Sequence, residues 1–229
     1  MQNPRLAGAR RVCCQPALPW AVNRDYDFLK SSPPPDKTRH LSWITSNLRR
    51  LRGHRRRMTF LESLRASVDF DLFGRGFTPI DDKWDGLAPY RYSLAVENFR
   101  GPYYWTEKII DPLLAWTMPI YYGCTNLDRY LPRGSFVAID IDDPGAPRKV
   151  RETIGSDLCD RNRDAIAEAR RLILDRYQLL PFLVEQIQAW ESRSGAASAQ
   201  PRAAAKVSRR HPAVWRALVR AMRALGLDR

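Results

Sequence analysis

The chain contains no run of eighteen apolar residues, the length a helix needs to cross the hydrocarbon core of a bilayer. Its start, Met1 to Cys14, carries Arg5, Arg10 and Arg11 but no apolar core behind them of the length a secretory signal requires. Cysteine is scarce, and the spacing of Cys13, Cys14, Cys124 and Cys159 fits neither a metal-ligand pattern nor a disulfide framework. Reduced thiols, no metal and residence in the cytosol are the matching expectations. No internal repeat of fixed period is present. Acidic charge is in deficit, with 25 Asp plus Glu against 38 Lys plus Arg, which leaves a net charge of +13. Such a balance calls for an anionic partner: nucleic acid, a membrane surface or a nucleotide.

What the chain does have is the composition of a globular protein, 229 residues with 44% hydrophobic and 28% charged, enough for a sizeable core. The basic residues concentrate from Arg49 to Arg57 and from Lys206 to Arg229. Residues 1–40 lack regular periodicity and include Ser31-Ser32-Pro33-Pro34-Pro35, a stiff connector; they read as a linker or the remnant of a preceding domain. From there the pattern predicts a strand over Leu41–Thr45, a helix over Met58–Ala66, and a strand over Val68–Phe73 that ends at Gly74. A strand at Tyr90–Val96, a helix at Thr106–Trp116, a strand at Met118–Tyr122, a short helix at Leu127–Tyr130 and a strand at Phe136–Ile141 continue the rhythm. Covering helices are expected over Asp164–Tyr177 and Pro181–Glu191. Strands alternating with helices imply an α/β fold, a Rossmann-like, doubly wound parallel sheet spanning 41–191. Residues 192–205 read as a flexible tether, and 206–229 as a basic amphipathic helix.

One stretch carries most of the chemistry. Glu97-Asn98 falls at the C-terminal end of the Tyr90–Val96 strand, where open α/β sheets bind their ligands. Beyond it, Tyr104, Glu107 and Lys108 bring an aromatic, an acceptor and a cation to helical spacing, which places them on one face of a first helical turn. A nucleotide diphosphate needs that set. Its phosphates would meet free N–H groups and the dipole at the helix start, a lysine would add full charge, and a carboxylate would accept from paired sugar hydroxyls.

From about Leu41 to Asp143 the ordered blocks resemble glycosyltransferase family 10, the α1,3/α1,4-fucosyltransferases. They are Ser46-Asn47, an arginine before an aromatic-rich helix, Phe73-Gly74-Arg75-Gly76, Val96-Glu97-Asn98, Tyr104-x-Thr106-Glu107-Lys108, Pro119-Ile120-Tyr121-Tyr122-Gly123 and Leu131-Pro132-x-Gly134-Ser135-Phe136. The resemblance implies the C-terminal, donor-binding half of a GT-B glycosyltransferase, with GDP-fucose as donor substrate and no obligatory cofactor or metal. By position, Arg57 would neutralise the donor diphosphate, with Arg55 and Arg56 as rivals. Lys108 would hold the same diphosphate, Glu107 the ribose hydroxyls, Tyr104 the nucleotide sugar, and Asn98 would add an amide contact. Tyr121 and Tyr122 read as core, and Ser46-Asn47 also suits a cap on the following turn.

The pattern departs from the family at the N-terminus, where the acceptor-binding domain with its carboxylate base is expected to be absent. A truncated gene, a late start or a donor-binding remnant would each account for that. Asp25 and Asp27 lie ahead of the linker, but nothing in their spacing marks either as a base, and no catalytic residue is assigned. The implied activity is inverting transfer of fucose to an N-acetylglucosamine-type glycan, in protein or lipopolysaccharide glycosylation; the alternative is a truncated, non-catalytic GDP-sugar-binding fragment. Nucleic acid ranks last as a partner, since no recognition module or aromatic interleaving accompanies the arginines. In the tail, Trp215, Leu218, Val219, Met222 and Leu225 share one helical face, and seven basic residues from Lys206 onward oppose only Asp228. That pattern predicts peripheral attachment to an anionic membrane surface, on the cytoplasmic face.

Overall fold

The structure, a computed structural model, describes residues 14, 15, 17 and 19–194. Its centre is a five-stranded sheet built from β1 (Arg39–Ile44), β2 (Asp71–Phe73), β3 (Tyr90–Gly101), β4 (Met118–Cys124) and β5 (Val137–Ala138). All pairings are parallel and the order is β2-β1-β3-β4-β5. The α/β class expected from the alternation of elements is the one observed. From β1 the chain passes through α2 (Arg52–Arg65) to β2, then returns past β1 to β3 and moves the other way through α3 (Glu107–Leu114) to β4. Two crossovers of the same hand running in opposite directions lie on opposite faces of the sheet. The direction of winding therefore reverses between β1 and β3. That point, at the C-terminal strand ends, is where a parallel sheet opens a crevice.

Burial on both faces explains the core. Parallel strands covered on each side bury consecutive residues instead of alternate ones. Tyr92, Ser93, Leu94, Ala95, Val96 and Glu97 are accordingly all within 3% of full burial. The two small hydroxyls at the centre satisfy each other, with Ser42 Oγ 3.1 Å from Ser93 Oγ. Trp43, Met58, Phe60, Leu61 and Leu64 pack on one side, and Ile109, Ile110, Leu113 and Leu114 belong to the same core. At the opposite strand ends, Lys37 Nζ donates to Ala88 O at 2.8 Å, Ala115 O at 2.9 Å and Thr117 Oγ1 at 3.0 Å. One ammonium thereby ties together the loops that lead into β3 and β4, and burial pushes its pKa down to about 7.

Several elements differ from the sequence reading. The α2 helix begins at Arg52, six residues ahead of the expected Met58, because the arginine run has no apolar periodicity to betray it. Gly53 permits that start, since a Cβ there would lie 1.8 Å from Asn98 O. Residues expected as a linker form α1 (Tyr26–Ser31), whose Leu29 is fully buried and whose Leu29 O accepts from Arg170 Nη2 at 2.5 Å. Helices α4 (Ala146–Ile154) and α5 (Leu158–Arg161) were not anticipated. Pro147 occupies the first turn of α4, where its missing N–H costs nothing. The expected strand at Phe136–Ile141 shrinks to the edge pair Val137–Ala138. Helices α6 (Arg163–Asp175) and α7 (Leu179–Ser194) fall close to expectation. The sheet and α1 to α6 belong to a unit spanning 1–185; the second unit, 186–229, is described only through the last turns of α7, which take in residues 192–194 of the expected tether, while the rest of the tether and the basic helix lie outside the described residues.

Candidate functional site

A cleft of about 570 Å³ opens at the winding reversal. Arg57, Asn98, Glu107 and Lys108, assigned from the sequence to a common site, all line it, together with Ser46 and His54. They come from four elements: the loop after β1, the first turns of α2, the end of β3 and the start of α3.

Arg57 is 3% exposed and reaches inward, donating from Nη1 to Asn98 Oδ1 at 2.6 Å and from Nη2 to Ser46 Oγ at 3.2 Å and Ser46 O at 3.3 Å. Its Nε is buried without a partner. Of the three arginines, Arg57 lines this cleft and the other two do not. Arg55 is exposed and bonds Arg50 O, while Arg56 pairs with Asp142 and stands over the Tyr122 ring on another face of α2. Ser46-Asn47 caps no helix; Ser46 braces Arg57, and Asn47 N donates to Arg75 O at 3.0 Å. Asn98 likewise holds Arg57. Burial lowers the pKa of Arg57 and nearby Glu97 raises it, yet an arginine stays charged throughout the working range.

The start of α3 differs from expectation in an instructive way. Thr106 is the N-cap, its Oγ1 accepting from Lys108 N at 3.3 Å. Glu97, 1% exposed at the end of β3, accepts from Thr106 N at 2.8 Å and from Thr106 Oγ1 at 2.8 and 2.9 Å. The anion at this helix start is thus the protein's own carboxylate. Lys108, which lines the cleft, stands beside it. Lys108 Nζ lies 2.9 Å from Glu107 Oε1 and 3.5 Å from Glu97 Oε2. Burial works against its charge, but Glu97 and Glu107 together hold its pKa above the ordinary lysine value. Burial also opposes ionisation of Glu107, and Lys108 more than offsets it, leaving that carboxyl below its ordinary range. Glu97 is pushed up, first by its own burial.

Sequence reasoning placed Glu97 at the strand end but gave it no role; the geometry makes it the brace of Thr106 and Lys108. Its signal was the acid buried in an otherwise apolar strand. Tyr104 precedes α3 instead of sharing its first turn; it stands edge-on to exposed Phe99, ring centroids 5.7 Å apart, is not among the residues lining the cleft, and lies near enough to feel the charges of Glu97, Lys108 and Glu107. Tyr121 and Tyr122 are buried, as expected of core residues. Asp25 caps α1 by accepting from Phe28 N, and Asp27 lies in that helix's first turn, so neither borders the cleft.

A parallel α/β sheet with a crevice at its winding reversal, where Arg57, Arg75, Lys83 and Lys108 come together, is the architecture of the Rossmann-like class. Residues 34–156, more than half of the chain, match the family described as Glycosyltransferase family 10 (fucosyltransferase) C-term. The chain belongs to glycosyltransferase family 10. It is 33% identical over 127 residues to 4-galactosyl-N-acetylglucosaminide 3-alpha-L-fucosyltransferase of Pongo pygmaeus, a match covering 53% of this chain and 34% of that protein. To 3-galactosyl-N-acetylglucosaminide 4-alpha-L-fucosyltransferase of Homo sapiens it is 32% identical over the same length, again covering 53% and 34%. The chain thus spans about a third of these relatives. A crystal structure of an alpha1,3-fucosyltransferase with GDP-fucose superposes with a TM-score of 0.48 at 21% identity, covering 75% of this chain and 51% of that one.

Proposed function

We propose that the cleft binds GDP-fucose and that the protein transfers its fucose to a hydroxyl of an N-acetylglucosamine-type glycan. The observation that carries this reading is the convergence of Arg57, Asn98, Glu107 and Lys108, from separate elements, on one cleft in a chain of this family. Arg57 and Lys108 bracket the diphosphate and stabilise the charge that develops on departing GDP. Glu107, an ionised acceptor, takes the ribose hydroxyls. The acceptor hydroxyl attacks C1 of fucose on the face opposite the diphosphate, the C1–O bond breaks with its electron pair passing to GDP, and configuration inverts. The proton leaving the acceptor needs a base, which we assign to no residue of this chain. Arg57, Lys108 and the amides of α2 supply the positive charge, so the reading invokes no metal.

Titration calorimetry on the intact chain is expected to give GDP an affinity well above that of guanosine; equal affinities would remove the diphosphate assignment. A second reading, GDP-sugar binding without transfer, fits the partial length matched in the relatives. Incubation with GDP-fucose and N-acetyllactosamine separates the two, since transfer yields GDP and fucosylated product in equal amounts.

We also propose that residues 206–229 hold the protein at an anionic membrane surface on the cytoplasmic side, at roughly 1 kcal/mol per basic residue near the headgroups. Co-sedimentation with anionic vesicles should weaken with salt and vanish when the chain is cut after Ala205. Equal pelleting of the intact and cut chains would argue that the segment does not touch lipid.

A further inference from the structure

The first turn of α2 has the makings of an anion site that the donor reading leaves partly unused. Its N-cap, Leu51, supplies no side-chain hydrogen bond, and its first turn holds no acid. The leading amides of a helix are unpaired donors at the positive end of the dipole, and they ordinarily attract an acidic or hydroxyl side chain. Here the turn carries Arg52 and His54 instead, and of the two His54 lines the cleft. An independent feature points to the same occupant. Arg57, one turn further on, is 3% exposed and lines the cleft with its Nε unpartnered.

His54 stands between these features. It lies three residues before Arg57 on the same helical face, lines the same cleft, and has its Nδ1 buried without a partner. The close approach of Gly53 to Asn98 O pins that turn against the end of β3, so the ring has little freedom to move away. We infer that His54 is a further contact for the donor diphosphate and that it takes up a proton when the donor binds. This rests on the donor-site reading above. In the empty cleft, burial and then the Arg57 charge hold the imidazole below its ordinary pKa. The other charged groups lining the cleft are Arg75, Asp81, Asp82 and Lys83 from the stretch between β2 and β3, and Glu107 and Lys108 from α3. Asp82 is paired with Arg24 and Glu107 with Lys108, while Asp81 is a third carboxylate of the lining. A diphosphate entering beside Arg57 reverses the local field, and the neutral ring becomes a cation with a donor at each nitrogen.

The test uses GDP-fucose, because the terminal phosphate of GDP itself titrates in the same range, whereas the diphosphate of the sugar nucleotide does not. Calorimetry on the intact chain should show affinity falling several-fold as the pH rises from about 5.5 to about 8, the sign expected of a group whose pKa is raised by binding. Heats that vary with the ionisation enthalpy of the buffer should report the proton uptake. His54→Gln should abolish both effects, and His54→Arg, permanently charged, should bind tightly across the range. Retention of the full pH dependence in His54→Gln, or its absence in the native chain while GDP-fucose still binds, would overturn the role of His54 alone. No binding of GDP-fucose at any pH would overturn it together with the donor site.

Discussion

Replacing Glu97 by alanine is expected to destabilise the domain by about 3–5 kcal/mol, the range for removing one partner of a buried ionic pair. Three groups lose an acceptor at once, Thr106 N, Thr106 Oγ1 and Lys108 Nζ, and the packing of Glu97 against Gly123 goes with them. A domain of this size is stable by roughly 5–15 kcal/mol, so the loss is a large share of the total. Glu97→Gln keeps an oxygen for Thr106 N but surrenders the charge, and should fall between alanine and the native residue. Urea denaturation of the three proteins measures the series. Variants within half a kcal/mol of native would show that the carboxylate braces nothing.

Lys108→Ala should weaken GDP by roughly 1.5–3 kcal/mol, the worth of a charged hydrogen bond, which is about a 10- to 150-fold loss. Guanosine, with no phosphate, should be nearly unaffected. The loss should sit at the top of that range, because Glu97 and Glu107 are left facing the diphosphate without their shared counterion. For the same reason the double variant Lys108→Ala with Glu97→Gln should recover part of the affinity, a coupling expected of groups in one network. Calorimetry with GDP and guanosine decides it. Parallel losses for both ligands would mean that Lys108 shapes the cleft and does not hold phosphate.

Which of these parts could be read in advance follows from the range of the forces involved. The sheet was legible because Leu41–Thr45, Tyr90–Val96 and Met118–Tyr122 are apolar, β-prone runs separated by helical periodicity, and such patterns act over a few neighbours. Arg57, Asn98, Glu107 and Lys108 were legible from the order of short blocks, and the cleft brings all four together. The early start of α2 was not, since nothing local marks Arg52; it depends on Gly53 meeting Asn98 across the sheet. Arg57 was preferred to Arg55 and Arg56 by position alone, and which of the three lines the cleft depends on how α2 is rotated against β3. The brace at the start of α3 was not legible, because β3 delivers Glu97 to the amide of Thr106, nine positions further along the chain. Sequence by itself determined the element types, the parallel class and the identity of the polar groups. Tertiary structure alone decided which of those groups are spent on one another and which, like Arg57 Nε and the first turn of α2, stay unpaired, because desolvation and hydrogen-bond geometry depend on neighbours that the chain brings together only when it folds.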